Sequence, residues 1–216
     1  MFGPKVGFIK FNANAFVDGK FVPGIVFMRG GAVAILVILA CEGKDYVLLV
    51  KQPRVPVGDD AYPEIPAGML DGSGHFGGMA AKELKQETEI EIEEKDLTDM
   101  TKIAFEDHPD ALKSAYRGIV PSCGGSDEFI RLYHYRKEVE RAELEKIRKK
   151  NGLGVRAEGE TIALGVVPFE EVWNCTSDGK TLAALHLFTK LQELGKGRRP
   201  GSSAQSEQPR PTVVGG

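Results

Sequence analysis

Apolar and polar residues alternate near the start of the chain, a pattern typical of half-buried β-strands. Val6–Phe11 and Phe16–Val22 show this alternation, and Asp18-Gly19 is a typical two-residue hairpin turn. Pro23-Gly24 is predicted to end this first hairpin. Three further strands rich in β-branched residues are predicted in the first quarter of the chain: Ile25–Arg29, Ala32–Cys41 and Tyr46–Gln52.

The strand at Ala32–Cys41 is apolar without interruption. Such a run favours a strand that is covered on both faces of its sheet. It has ten residues, whereas a helix that crosses a bilayer needs about 20. A helix is predicted next, at about Gly78–Glu89, where Ala80, Leu84 and Thr88 lie on the flank expected to face the core.

Strands and helices both occur in the second half of the chain. Strands are predicted at Thr101–Glu106, Glu128–Tyr135 and Thr161–Val167. The charged segment Glu138–Lys150 predicts a solvated helix. Pro168–Trp173 predicts a helical turn before the final helix.

The final helix is predicted at Thr181–Leu194, with Ser177 or Asp178 as its N-cap. Four apolar residues recur on one side of it and predict a core face: Leu182, Leu185, Phe188 and Leu191. The order of elements (strands, one helix, strands, a last helix) is typical of an α/β fold in which a mixed sheet lies between helices. We divide the chain into N-terminal strands at 1–30, a main domain at 31–194 and a disordered tail at 195–216.

The composition of the chain argues against several functions, including broad binding to nucleic acid or membranes. The chain has 216 residues, 42% of them hydrophobic, and a net charge of −3, which argues against broad attraction to nucleic acid or membranes. Cys41, Cys123 and Cys175 are too far apart for a zinc site and favour a reducing compartment. No signal peptide pattern is visible. His75, His108, His134 and His186 have no metal-ligand spacing.

The candidate chemistry lies on the middle helix, where Glu83 and Glu87 are four residues apart and share a face. Two neighbouring carboxylates favour a hard divalent cation, Mg²⁺ or Mn²⁺, between them. The Gly-rich loop before the helix adds backbone carbonyls and room for a phosphate. The alternative is a solvated helix face without chemistry.

Residues 64–90, EIPAGMLDGSGHFGGMAAKELKQETEI, resemble the Nudix box of a large hydrolase superfamily. The spacing from Gly68 to Glu83 and Glu87 fits the box without a gap. Four positions depart from it: Gly74 replaces a Glu, Lys82 an Arg, Gln86 a Glu and Glu89 the closing Gly. The resemblance implies the Nudix fold, a mixed sheet sandwiched between helices, here with an N-terminal β-hairpin.

Segments outside the box extend this resemblance over roughly residues 3–194. They are FGPKVGFIKF, VPGIVFMRGGAVAIL, QPRVPVG, PSCGGSDE and VPFEEVW. Together they are most similar to the ADP-ribose and ADP-sugar diphosphatases, and above all to the plant chloroplast ADP-sugar diphosphatases. Proteins of this group are commonly homodimers that exchange N-terminal strands, so a homodimer is expected.

The resemblance also implies a set of metal ligands: the backbone carbonyl of Ala67 and the side chains of Glu83, Glu87, Gln86 and Glu160. Gln86 stands where a third carboxylate is usual, and its amide oxygen coordinates without bringing charge. By the same resemblance Glu158 is the general base, because a carboxylate beside the metal can accept a proton from the attacking water. The alternative for Glu158 and Glu160 is that both are ordinary loop acids.

For the substrate, the resemblance implies that Arg54 pairs with the diphosphate, which a guanidinium can bind with two parallel donors. Arg29 corresponds to an Arg from the opposite subunit, and Glu128 to a carboxylate near the terminal ribose. Ser122, Cys123 and Gly124 are expected to pass close to the ligand. Surface salt bridges are the alternative for both arginines.

These features together predict a Mg²⁺- or Mn²⁺-dependent hydrolase that converts ADP-ribose or ADP-glucose to AMP and a sugar phosphate. A Nudix domain that only binds a nucleotide or a protein is the main alternative, because four box positions depart from the pattern. Dinucleoside polyphosphates, coenzymes and capped RNA are other substrate classes; the lack of a basic stripe argues mildly against RNA. The cytoplasm is the expected compartment.

Overall fold

A mixed sheet with helices on both faces forms the main body of the protein. The computed structural model describes residues 7–70, 75–107, 118–154 and 161–196. Its strands are β1 (Ile9–Val17), β2 (Lys20–Met28), β3 (Gly31–Cys41), β4 (Lys44–Arg54), β5 (Asp59–Glu64), β6 (Ala67–Met69), β7 (Thr98–Asp99), β8 (Phe129–Glu138) and β9 (Ala163–Pro168). Its helices are α1 (Phe76–Thr88), α2 (Met100–Phe105), α3 (Arg141–Arg148), α4 (Val172–Cys175) and α5 (Gly179–Glu193).

The sheet contains seven of the described strands, in the order β5-β4-β3-β8-β7, with β6 on β3 and β9 on β4. β3 and β8 are parallel, and the other pairs are antiparallel. β3 and β4 pair at one end and then diverge, since β3 continues against β6 and β4 against β5. Ile65 and Pro66 connect β5 to β6 across this fork, where Ile35 N–H donates to the Pro66 carbonyl at 2.9 Å. The fork therefore fixes the turn that opens the Nudix-like segment.

The apolar run in β3 is buried on both faces, as its pattern predicts. Val33 and Ile35 pack with α1 and α3, whereas Ala34 and Leu36 pack with α2 and α5 on the other face. Successive side chains of a strand point to opposite faces, so β3 belongs to two separate cores. The α/β prediction with a mixed sheet between helices is confirmed.

The N-terminal hairpin forms a separate two-stranded sheet from β1 and β2. Asp18 and Gly19 form its turn with φ values of 49° and 75°, as expected for the turn type that matches strand twist. The prediction that Pro23-Gly24 ends the hairpin is wrong, since β2 continues to Met28. A two-stranded ribbon has open edges, and a residue without an N–H is tolerated there.

The predicted strand at Thr101–Glu106 is also wrong, because residues 100–105 form α2. Asp99 caps this helix by accepting the Lys102 N–H at 2.8 Å. The buried Thr101 hydroxyl instead accepts the Leu132 N–H from β8 at 2.8 Å. Despite its β-branched residues, this segment thus forms a helix that Asp99 caps and that packs on the sheet.

Two helices differ in detail from their predictions. α3 is not simply solvated, because Leu144 and Ile147 are buried in the core beside β3. In α5, Leu185, Phe188 and Leu191 are buried as predicted, but Leu182 is 38% exposed. Asp178 is the N-cap of α5 and accepts the Thr181 N–H at 3.0 Å. No helix within the described ranges is both long and apolar enough to cross a membrane.

Candidate active site

Two carboxylates of α1 converge on the start of β6, just after the turn that joins β5 to β6. Glu87 is buried, and its Oε2 accepts the Ala67 N–H at 3.1 Å. The Glu83 carboxyl lies against Gly68, because a Cβ placed on Gly68 would be only 1.9 Å from Glu83 Cδ. α1 can approach this closely because Ala80 and Leu84 anchor it in the core beneath. Because Glu83 and Glu87 lie one helical turn apart, their carboxylates both reach residues 67 and 68.

The chemistry of this arrangement fits a hard divalent cation. Glu83 and Glu87 offer carboxylate oxygens in a partly to fully buried setting, and Mg²⁺ and Mn²⁺ prefer oxygen ligands. Gln86 is partly buried on the same helix and offers an amide oxygen. Within the described ranges, no group of three or more His, Cys, Asp or Glu side chains is arranged to hold a metal. Glu158 and Glu160 lie outside the described residues, so their predicted roles stay predictions.

The Nudix-like segment departs from the box at four positions, and the structure describes three of them. Glu89 ends α1 with a left-handed φ of 59° and donates its N–H to the Lys85 carbonyl at 2.9 Å. A closing glycine would adopt that conformation without steric cost. Lys82 is exposed, Gln86 is partly buried, and Gly74 lies outside the described residues. The helix thus keeps its shape at Glu89 despite the missing glycine.

Arg54 lies beside this turn in a group of buried and half-buried charges. Its Nε and Nη2 both lie 2.6 Å from Glu64 Oε1, and Glu64 is only 2% exposed. The other carboxylate oxygen of Glu64 binds Lys180, whose Nζ also lies 3.0 Å from Asp178 Oδ1. The Arg54 side chain itself is 37% exposed. Arg54 therefore has a buried partner and an accessible side, unlike an ordinary surface salt bridge.

The start of α5 holds this charge group against the β5–β6 turn. Ile65 N–H donates to the Thr181 hydroxyl at 3.0 Å, and that hydroxyl donates to Asp178 at 2.6 Å. Thr176 donates its hydroxyl to the Pro63 carbonyl at 2.5 Å. Each contact joins residues more than 110 positions apart along the chain, except the Asp178–Thr181 pair. The long-range bonds fix the position of residues 63–65.

Arg29 and Glu128, both predicted to contact substrate, form an ion pair with Nε and Oε1 at 2.9 Å. The backbone N–H groups of Arg29 and Gly30 both donate to Asp127 Oδ1, at 2.7 and 3.0 Å. Burial opposes ionisation of Asp127, but these two donors and the backbone N–H of Asp127 itself together outweigh burial and hold the pKa of its carboxyl below the ordinary value of 3.8. Asp127 thus ties the loop before β8 to the start of β3.

Ser122, Cys123 and Gly124 form an exposed turn, in which Ser126 N–H donates to the Ser122 carbonyl at 2.9 Å. The hairpin contacts this loop through the Phe27 N–H, which donates to the Gly125 carbonyl at 2.8 Å. An open cleft of about 530 Å³ lies between them, lined by Gly124 and by hairpin residues: Asn12, Ala13, Asn14, Phe21, Gly24 and Ile25.

The β3 strand brings these groups to one end of the sheet. Arg29 lies two residues before β3, and the Gly31 carbonyl accepts the Leu70 N–H at 3.0 Å. Val33 pairs with Gly68, which carries the Glu83 contact. The metal ligands predicted on α1 and the Arg29–Glu128 pair therefore share the N-terminal end of β3.

The sequence did not predict a role in the site for three residues: Glu64, Asp127 and Lys180. Glu64 and Asp127 lie inside the segments EIPAG and PSCGGSDE. In these segments the resemblance implied roles for neighbouring residues only, namely Ala67, Ser122–Gly124 and Glu128. Lys180 carried no signal, since it lies 116 positions from Glu64 along the chain.

Similarity to known proteins shows the family of this chain. The family model of the NUDIX domain matches residues 28–185. This chain belongs to the Nudix hydrolase family. It is 40% identical over 198 residues to Nudix hydrolase 14, chloroplastic, of Arabidopsis thaliana, an alignment that covers 90% of this chain and 61% of that protein.

A shorter match of 57 residues, 44% identical, relates the chain to an uncharacterized Nudix hydrolase of Schizosaccharomyces pombe. It covers 26% of this chain and 27% of the yeast protein. Nudix enzymes generally use divalent metal ions and nucleotide-type substrates. The chain spans less than two thirds of the plant relative's length.

Proposed function

We propose that this Nudix hydrolase cleaves the diphosphate bond of a nucleoside diphosphate sugar, with ADP-ribose and ADP-glucose as the first candidates, to give AMP and a sugar phosphate. The observation that carries the proposal is the convergence of Glu83 and Glu87 on Ala67-Gly68. Arg54, the last residue of β4, pairs with Glu64 at the end of β5, and its side chain is partly accessible. Two carboxylates that can hold a metal cation, together with a guanidinium that can bind phosphate, suit a diphosphate substrate.

Each residue has a distinct role in this proposal. Glu83 and Glu87, with the Ala67 carbonyl, Gln86 and Glu160, would hold Mg²⁺ or Mn²⁺, which supplies positive charge to the diphosphate oxygens. Arg54 would orient the diphosphate through its outward donors. Glu158 is proposed as the general base for water. The Arg29–Glu128 pair and the turn at Ser122, Cys123 and Gly124 would contact the sugar or the nucleoside.

A substrate panel tests the proposal directly. Purified protein is incubated with ADP-ribose, ADP-glucose, a dinucleoside polyphosphate, coenzyme A and capped RNA, each with Mg²⁺ or Mn²⁺, and the products are separated by chromatography. We expect AMP from an ADP-sugar at a rate well above that from the other substrates. If no ADP-sugar yields AMP with either metal, the proposal is wrong.

The second candidate is a Nudix domain that binds a nucleotide without turning it over. Gln86 favours it, because a partly buried amide replaces a carboxylate beside Glu83 and Glu87 and lowers the negative charge available to a metal. Calorimetry distinguishes the candidates: nucleotide binding without divalent metal, together with no turnover, would favour the binding module. A large gain of activity in Gln86→Glu would show a catalytic site weakened by the amide.

We further propose that the protein is a homodimer joined through the hairpin. β1, β2 and the residue before β1 expose many large apolar side chains outside the main cores: Phe8, Ile9, Phe11, Phe16, Val17, Phe21, Val22, Ile25, Phe27 and Met28. An exposed apolar patch of this kind marks an interaction site. Phe16 and Phe21 form an edge-to-face pair at the tip, with centroids 5.7 Å apart and exposures of 67% and 54%.

The Phe16→Asp/Phe21→Asp double variant is expected to be monomeric, because charges replace the apolar tip of the hairpin. Light scattering after size exclusion should give twice the chain mass for the wild type and a single chain mass for the variant. Circular dichroism should show an unchanged main domain, since both residues lie outside its cores. A monomeric wild type at micromolar concentration would contradict the dimer.

The compartment stays a prediction. The name of the plant relative describes that protein as chloroplastic, whereas the cytoplasm is the compartment expected for this chain.

A further inference from the structure

Glu64 binds one cation on each of its carboxylate oxygens. Oε1 lies 2.6 Å from both Nε and Nη2 of Arg54, and Oε2 forms an ion pair with the Lys180 ammonium. Glu64 is 2% exposed, and the Lys180 side chain is 13% exposed. Little water reaches this pair, so the interactions within it are stronger than those of a surface pair.

The charges in this group have a consequence for Arg54. If Glu64 had Arg54 as its only cation, the carboxylate would cancel the positive charge that the guanidinium presents to a phosphate. Lys180 takes up part of the negative charge of Glu64 and leaves more of the Arg54 charge available. Lys180 also holds Oε2, which turns Oε1 toward the Nε–Nη2 edge of Arg54.

We propose that Lys180 is a positioning residue for the substrate diphosphate, acting through Glu64 on the charge and orientation of Arg54. This inference rests on the proposed function, since it assumes that Arg54 meets a diphosphate. Lys180 suits this role because α5 places it beside Glu64: Asp178 caps the helix two residues earlier, and Thr181 bonds the Ile65 N–H one residue later.

The Lys180→Met variant tests the role. It keeps an unbranched chain of similar length and removes the charge. We expect KM for the ADP-sugar to rise about tenfold, with kcat changed less than about threefold, because the weakened interaction is with the diphosphate in both ground state and transition state. Lys180→Arg, which keeps the charge, should keep KM within about threefold of the wild type.

Lys190→Met is the matched control. Lys190 lies on the same helix, is 55% exposed and pairs with Glu193 at 2.7 Å. An exposed pair of this type contributes little, so KM and kcat should equal those of the wild type. A KM increase of the same size in Lys190→Met would overturn the inference.

The Glu64→Gln/Lys180→Met double variant separates charge from structure. The amide oxygen of Gln can still accept the Arg54 bonds but no longer cancels its charge. Lys180→Met leaves the buried Glu64 Oε2 without a cation, and the double variant removes that charge, so it should be less destabilised than Lys180→Met. Asp178 loses its Lys180 contact in both variants. We expect the KM of the double variant within about threefold of the wild type. A KM as high as that of Lys180→Met, or about tenfold above the wild type if Lys180→Met does not fold, overturns the inference.

Binding of ADP tests the role of Lys180 independently of whether the protein hydrolyses ADP-sugars. Calorimetry with ADP and Ca²⁺ measures the diphosphate interaction without turnover. If the wild type yields no AMP from ADP-sugars but binds ADP about tenfold more tightly than Lys180→Met, the proposed hydrolysis fails and the inference stands. Equal ADP affinity in the two proteins, or no ADP binding by either, overturns the inference whatever the panel shows.

Discussion

Replacing Glu87 with Gln is expected to lower the rate of AMP release from an ADP-sugar by about 100- to 1000-fold. Glu87 is 4% exposed, and its carboxylate oxygen accepts the Ala67 N–H at 3.1 Å. The amide oxygen of Gln can keep that hydrogen bond, so the fold should survive with a stability change of about 1 kcal/mol or less. What the variant removes is the negative charge that favours a divalent cation.

Two measurements check this result. Steady-state assays give the loss of rate, and calorimetry with Mn²⁺ should show at least about tenfold weaker metal binding. Glu91→Gln is the control, since Glu91 follows the same helix, is 74% exposed and pairs with Lys85 at 2.8 Å. It should retain full activity. If Glu87→Gln keeps more than a third of the wild-type rate, Glu87 does not hold the catalytic metal.

Gly68→Ala is expected to reduce activity by about 100-fold without unfolding the protein, since even a 1 Å misplacement of a catalytic group can cost that much. A Cβ at position 68 would lie 1.9 Å from Glu83 Cδ and 2.3 Å from Oε1. Those atoms are the end of a flexible side chain, so the new methyl group would displace the carboxylate rather than the strand. The predicted metal ligand would then point away from the turn.

Gly78→Ala is the matched control for this change. Gly78 lies on α1, where a Cβ would meet its nearest neighbours at 3.9 Å, an ordinary contact. The control should keep its activity and gain roughly 0.5–1 kcal/mol of stability, because Gly is a poor helix former.

A double variant asks whether Gly68 acts through Glu83. If it does, Gly68→Ala/Glu83→Gln should be no slower than Glu83→Gln alone. Independent, multiplying losses would mean that Gly68 matters for another reason, and wild-type activity in Gly68→Ala would show that the Glu83 carboxylate is not needed where it lies.

Most of the fold could be predicted from local patterns in the sequence. The ten-residue apolar run of β3, the Asp18-Gly19 turn and the Asp178 cap each determine their own backbone nearby. Residues 100–105 could not be predicted in this way. Their β-branched residues suit a strand, but the Asp99 cap and the packing of Thr101 against β8 stabilise a helix.

The sequence by itself determined the family-like segments and the helical spacing that puts Glu83 and Glu87 on one face, because both depend on residues close together in the chain. The tertiary structure decided which turn those carboxylates meet and which partners the arginines have. The fork between β3 and β4 places Ala67-Gly68 under α1, and α5 brings Lys180 to Glu64 from 116 positions away. Such contacts depend on how strands pair and helices pack, and no local pattern encodes them.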